Sequence, residues 1–290
     1  MTNELIQKRR SMGLMALCAV LWSIGGLFIK LISWDPMLIA GLRSLIAAIA
    51  TGIYLRIIHQ KLEFSKWSII SGLAVGSVCG MFVFANKLTT AANAIVLQYS
   101  SPIWVLLVGA LFLHKKIHRR DVLVVAAALC GIALFFLDQL TPGNMLGNLI
   151  AIISGISMAM VFVANSQAAD ADAARYTGIL LGHSLCGLLF FVGLFIYPFQ
   201  PTGTEIGYIL LLGVVQIAIP YILLAVASKH CPALAGNLIS MLEPLLNPVW
   251  VMLFYGETPG FFAMIGSAVI IGSVAVWTIA DARAETSLSD

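Results

Sequence analysis

Residues 91–113 read AANAIVLQYSSPIWVLLVGALFL, and residues 232–254 read PALAGNLISMLEPLLNPVWVMLF. The first has no formal charge and the second has one, Glu243. At a rise of 1.5 Å per residue, about 20 apolar residues cross the ~30 Å hydrocarbon core of a bilayer, so each reads as a membrane-crossing helix. Sliding the second against the first by 142 residues pairs Lys87 with Lys229, Ala91 with Ala233, Pro102 with Pro244, Leu111 with Leu253 and Phe112 with Phe254, without a gap.

Eight further stretches have the same character. The ten expected spans are Met12 to Ser33, Pro36 to Arg56, Trp67 to Asn86, Ala91 to Leu113, Val122 to Leu137, Met145 to Ala164, Tyr176 to Tyr197, Ile206 to Ala227, Pro232 to Phe254 and Gly260 to Ala280. A mean hydropathy of +1.00, with 60% hydrophobic residues against 10% charged, excludes a water-soluble globule. A membrane barrel would need segments of about 10 residues alternating with period two, and that alternation is missing. The loops are too short to hold a soluble domain, so residues 1–290 read as one all-helical membrane domain.

Placing the N-terminus in the cytoplasm puts Lys8, Arg9, Arg10, Arg56, Lys61, Lys66, Lys115, Lys116, Arg119, Arg120, Arg175, Lys229 and Arg283 on the inner side, against Lys30 and Lys87 outside. Orientation follows the Lys/Arg distribution over short loops, so both termini are expected inside. The first apolar run is longer than a signal-peptide core and lacks a small-x-small cleavage site, which makes it a retained helix. The net charge of +3 belongs to loops beside anionic headgroups and not to a nucleic-acid surface. Five cysteines without C-x-x-C spacing support neither a disulfide framework nor a metal site.

At slightly smaller offsets than 142, Ser23 meets Ser157, Gly13 meets Gly147, Arg43 meets His183 and Gly131 meets Gly272. The chain therefore reads as two repeats, about 12–137 and 145–280. Five spans per half is an odd number, so the second half enters the membrane from the opposite side. Inverted repeats of this kind enclose a central site that opens alternately to either face.

Leu21-Trp22-Ser23 in the first span, Pro36 to Arg43 opening the second, Ser100-Ser101-Pro102 in the fourth, and Leu242-Glu243-Pro244 followed by Gly256-Glu257 around the ninth carry a resemblance over nearly the whole chain. It resembles the drug/metabolite transporter superfamily in its ten-span EamA branch, and within it the bacterial aromatic amino-acid exporters. The resemblance implies ten helices in two inverted five-helix repeats around a central cavity, and export of amino acids, other metabolites or drugs. One departure is that His114-Lys115 stand in the first repeat where the second has Gly256-Glu257.

Ionisable groups inside a bilayer cost ~3 kcal/mol or more unless paired or solvated, which singles out Arg43, His183 and Glu243. Glu243 is the deepest and could bind a substrate ammonium or carry a coupling proton. Arg43 could bind a carboxylate, or snorkel and cap carbonyls. Spans four and nine hold the richest mid-membrane polarity: Asn93, Gln98, Tyr99, Ser100 and Ser101 in one, Asn237, Ser240, Glu243 and Asn247 in the other. Pro102, Pro244 and Pro248 free carbonyls that need a neighbour or water, so these breaks should line a cavity. The bland alternative is that such groups glue neighbouring helices at ~0.6 kcal/mol each.

Trp22, Tyr99, Trp104, Tyr221 and Trp250 are candidates for stacking a planar ligand, with core packing as the simpler role. Trp34, Trp67 and Trp277 fit an interfacial belt. Gly25-Gly26 in the first span, and Gly72, Gly76 and Gly80 in the third, permit close helix contact.

The expected substrate-binding set is Trp22, Gln98, Tyr99, Ser101, Tyr221, Asn237, Ser240 and Glu243, with Glu243 and Arg43 for coupling or carboxylate binding. The expectation is a multi-pass carrier in a bacterial inner membrane exporting neutral or aromatic amino acids, the alternative being a lipophilic-cation exporter of the same fold. No cofactor, nucleic acid or obligate protein partner is expected, and no cluster of catalytic groups suggests an enzyme.

Overall fold

Proline and capping residues set the helix boundaries in the computed structural model, which describes residues 3–137, 140, 142, 144–168, 171–246, 250 and 260–289. No strand occurs among them. The helices are α1 (Asn3–Trp22), α2 (Gly25–Leu31), α3 (Pro36–Ile57), α4 (Lys66–Leu88), α5 (Ala91–Gln98), α6 (Ser101–Leu113), α7 (Arg119–Phe135), α8 (Met145–Gln167), α9 (Asp172–Ile196), α10 (Gly203–Leu211), a π segment (Leu212–Ala218), α11 (Ile219–Ala227), α12 (Ala233–Ser240) and α13 (Phe261–Ser289).

Starts are built from side chains that accept the first free N–H groups. Asp35 accepts from Met37 N with Pro36 opening α3, Ser65 and Ser68 form a capping box on α4, Thr90 accepts from Asn93 N, and Thr202 and Glu205 form a second box on α10. At the other ends, Arg175 donates to Ala168 O past the end of α8 and to Ala225 O in the last turn of α11, both at 2.6 Å. A buried cation there complements the negative ends of two helices.

Among the described residues, seven helices are long and apolar enough to cross a membrane: Pro36–Ile57, Lys66–Leu88, Ala92–Leu113, Met145–Gln167, Asp172–Ile196, Gly203–Ala227 and Phe261–Ala280. The chain is a multi-pass membrane protein. The other three expected spans differ for local reasons. The first is interrupted at Ser23-Ile24 between α1 and α2, and α7 has only 17 residues with Arg119, Arg120 and Asp121 in its first turn. The ninth is broken at Met241, and much of its later part lies outside the described residues.

The strongest packing relates early helices to late ones. α3 packs along α9, α7 along α13, and α6 touches α12; α4 lies against α8 and α9, while α1 lies against α11 and α3 against the π segment. Exchanging the first five expected spans for the last five maps these pairs onto one another. α5 and α12 also begin and end 142 residues apart.

Small residues let these helices close up. A Cβ on Gly182 of α9 would stand 2.5 Å from Val75 Cβ and 2.6 Å from Gly72 O, and one on Gly76 of α4 would stand 3.1 Å from Gly182 O. The glycine ladder of α4 is thus a packing surface for α9, which is how membrane helices associate without a hydrophobic driving force.

Both loop ends of the bundle are tied. Glu205 accepts from Ser33 N at 2.9 Å and Ser33 Oγ at 2.8 Å, joining the segment after α2 to α10. Beside it Trp34 meets Phe199 edge-on, 4.9 Å between ring centroids. Trp34 and Trp277 are buried inside the bundle, Trp277 donating to Asp121 at 3.0 Å, so neither stands in a lipid-facing belt.

Candidate functional site

Two broken helices meet at mid-bundle. Proline has no N–H, so Pro102 leaves Gln98 O, and Pro244 leaves Ser240 O, without the usual intrahelical donor. The chain turns at Tyr99-Ser100 in one helix and at Met241 in the other. The first orphan faces Gly155 of α8, where a Cβ would lie 2.7 Å from Gln98 O. The second is satisfied from across the interface: Tyr99 Oη lies 3.0 Å from Ser240 O and 2.6 Å from Glu243 Oε2. Beside it Ser101 Oγ donates to Asn237 Oδ1 at 3.0 Å, while Gln98 Nε2 donates to Ser154 Oγ at 2.9 Å.

A cavity opens beside this crossing. Its polar wall is Arg43, Cys79, Gln98, Gln216, Tyr221 and Glu243; its apolar wall is built from Trp22, Val78, Phe82, Met158, Val161, Phe162 and Ile217. Water centres can occupy about 60 Å³ of it, room for roughly four waters at about 15 Å³ each.

Arg43 is buried, donating from Nη2 to Cys79 O at 2.8 Å and from Nη1 to Gln216 Oε1 at 3.4 Å. Gln216 Nε2 in turn reaches Trp22 O at 3.4 Å. Arg43 Nε has no protein partner among the described residues. Arg43 and Glu243 both face the cavity, yet no ion pair joins them among the described residues. Tyr221 packs edge-on against Trp22 at 5.5 Å and against His183 at 4.8 Å. Both nitrogens of the buried His183 lack a protein partner among the described residues.

Of the residues expected from sequence, Trp22, Arg43, Gln98, Tyr221 and Glu243 line the cavity. Tyr99, Ser101, Asn237 and Ser240 stand behind it, bonded across the α5/α6–α12 interface. Asn93 belongs instead to the start of α5, 3.4 Å from Asn148 Oδ1. Trp104 donates to Ser100 Oγ at 3.2 Å, and Trp250 to Ser23 Oγ at 2.7 Å. Asn247, Pro248, Gly256 and Glu257 lie outside the described residues.

Sequence reasoning missed Gln216 and Cys79. Gln216 is an amide inside an apolar run, and it sits four residues before Pro220 in the π segment. Pro220 cannot donate to Gln216 O, which explains the local widening; such π turns recur at functional sites. Gly25 makes room for it, since a Cβ there would stand 2.6 Å from Gln216 Nε2.

Known proteins resemble the chain on each level. The description "EamA-like transporter family" fits residues 9–137 and again 145–279. An uncharacterized transporter of Archaeoglobus fulgidus is 28% identical over 210 residues, covering 71% of this chain and 74% of that protein. A protein of known crystal structure superposes with a TM-score of 0.79 over 95% of this chain and 99% of its own, at 20% identity, a likeness of fold alone. With the family pattern found in both halves, this chain belongs to the EamA-like transporter family of the drug/metabolite transporter superfamily and is a membrane transporter.

Proposed function

We propose that the protein exports neutral or aromatic amino acids across the inner membrane of a bacterium by alternating access, both termini facing the cytoplasm. The observation that carries this reading is the unpaired cation and acid in one cavity: Arg43 and Glu243 share the wall without bonding to each other. A zwitterion supplies the missing partners, its carboxylate for the guanidinium and its ammonium for the carboxyl. The aromatic faces of Trp22, Tyr221 and Phe162 suit an apolar or planar side chain. Gln98 and Gln216 would orient it, with Tyr99, Ser101, Asn237 and Ser240 holding the wall in place.

Ten spans in two inverted repeats, 12–137 and 145–280, would supply the rocking motion. In support, the main packing pairs are conserved when the halves are exchanged, and α5 and α12, which lead into the two breaks, are offset by 142 residues at both ends. The test is counterflow in proteoliposomes loaded with one amino acid and challenged with a panel of others. Saturable trans-stimulation by zwitterionic amino acids is expected. Stimulation by lipophilic amines alone would favour the drug-exporter reading, for which Glu243 provides the anion and the aromatic wall the stacking surface.

A further inference from the structure

A second and larger cavity, about 180 Å³ by the same measure, lies away from the central one, between α6, α8, α12, α13 and the link from α6 to α7. Its lining divides in two. Lys115 and Lys116 in the link and Arg120 at the start of α7 bring three cations, while Val105, Leu106, Leu113, Val163 and Leu234 bring an apolar lining. We propose that this cleft binds one anionic phospholipid, with its phosphate among the three cations and an acyl chain along the wall.

Charge complementarity picks the occupant. Among the described residues three cations face one acid, Asp121, and that acid is already engaged, accepting from Trp277 Nε1 at 3.0 Å and from His118 N at 3.3 Å. Arg120 leans on it at 3.7 Å, leaving Lys115 and Lys116 in no ion pair among the described residues. The start of α12 contributes too. Pro232, Ala233 and Leu234 line the cleft, and this end has no side-chain cap, so its first-turn N–H groups and dipole favour an anion. Basic pockets between membrane helices at a basic rim take phosphate headgroups.

A free phosphate would satisfy the cations and leave the apolar wall wet. A lipid fills both parts. The cleft lies on α6 and α12, the two helices that cross at the central site, so an occupant there braces the frame of the crossing.

The test is native mass spectrometry of the purified chain from nanodiscs holding equal phosphatidylglycerol and phosphatidylcholine with identical acyl chains. One retained phosphatidylglycerol, preferred about tenfold, is expected. In the Lys115→Gln/Lys116→Gln double variant the preference should vanish. Leu106→Trp, which fills the apolar part and keeps every charge, should also release the lipid. Lys87→Gln, at the opposite rim, should leave retention unchanged, and thermal unfolding of each variant checks that it is folded. Undiminished retention in the double variant, retention in Leu106→Trp, equal loss in Lys87→Gln, or displacement of the lipid by inorganic phosphate would each overturn the proposal.

Discussion

The Tyr99 hydroxyl stands between two acceptors of the facing helix, Glu243 Oε2 at 2.6 Å and Ser240 O at 3.0 Å. It has one proton to give. With Glu243 ionised, that proton goes to the carboxylate and the carbonyl freed by Pro244 loses its donor. With Glu243 protonated, the carboxyl donates to the Tyr99 oxygen and the tyrosine donates to Ser240 O, so every group is satisfied. The state of one acid therefore sets how firmly the two broken helices hold each other. Tyr99→Phe removes the donor in both states. Leaving a buried acceptor unmet costs about 1–3 kcal/mol, so the variant should unfold several degrees below the parent in detergent, and an unchanged midpoint would remove this bond from the account.

Glu243→Gln keeps a hydrogen-bond donor but cannot titrate. If the acid carries the coupling proton, the variant should still exchange substrate across liposomes, with an affinity lowered about 10- to 100-fold by the lost charge-assisted bond to the ammonium, while losing accumulation driven by an imposed pH gradient. A single titratable group is worth only its change in protonation, which the amide abolishes. Gradient-driven accumulation that survives in Glu243→Gln would assign coupling elsewhere or leave facilitated diffusion.

How far the sequence reaches here depends on whether a residue announces its own partner. Pro102 and Pro244 make the helix breaks legible because a missing N–H acts on its own chain whatever surrounds it. Arg43 and Glu243 stand out because charge in an apolar run is costly. That Tyr99 donates to Ser240 O was not legible, since it depends on two helices crossing at one height. Gln216 was overlooked because a lone amide in an apolar run resembles ordinary helix glue until Pro220 and Gly25 are seen to make space for it. Arg175, Asp121 and Glu205 lie at helix ends that read as solvated rims, yet all three are buried because loops and neighbouring helix ends fold over them.

On the proposed function, Arg43 takes the carboxylate end of a zwitterionic substrate and Glu243 the ammonium end. Arg43→Gln should weaken competition by an amino acid by about 10- to 100-fold, the range for a charge-assisted bond of ~1.5–3 kcal/mol. Competition by the corresponding amine, which lacks the carboxylate, should change by less than about threefold. Competitive displacement of a labelled substrate in detergent measures both, and equal loss for acid and amine would mean that Arg43 only holds the wall through Cys79 O and Gln216.

Glycines in the bundle should divide sharply by what a methyl group would meet. At Gly155 it would stand 2.7 Å from the orphaned Gln98 O, with Leu97 O at 3.1 Å, so Gly155→Ala pushes α8 away from the break that positions Gln98 and Tyr99. Overpacking of this kind costs about 1–3 kcal/mol, and because the displaced contact lies at the cavity, transport should fall further than stability. Gly207 in α10 has nothing within 4 Å, and there the same substitution exchanges a flexible residue for a good helix former, a gain of up to ~1 kcal/mol. Thermal midpoints and counterflow rates of Gly155→Ala and Gly207→Ala, measured side by side, decide the matter: similar behaviour in the two would mean that close approach of α8 is not what shapes the broken helix.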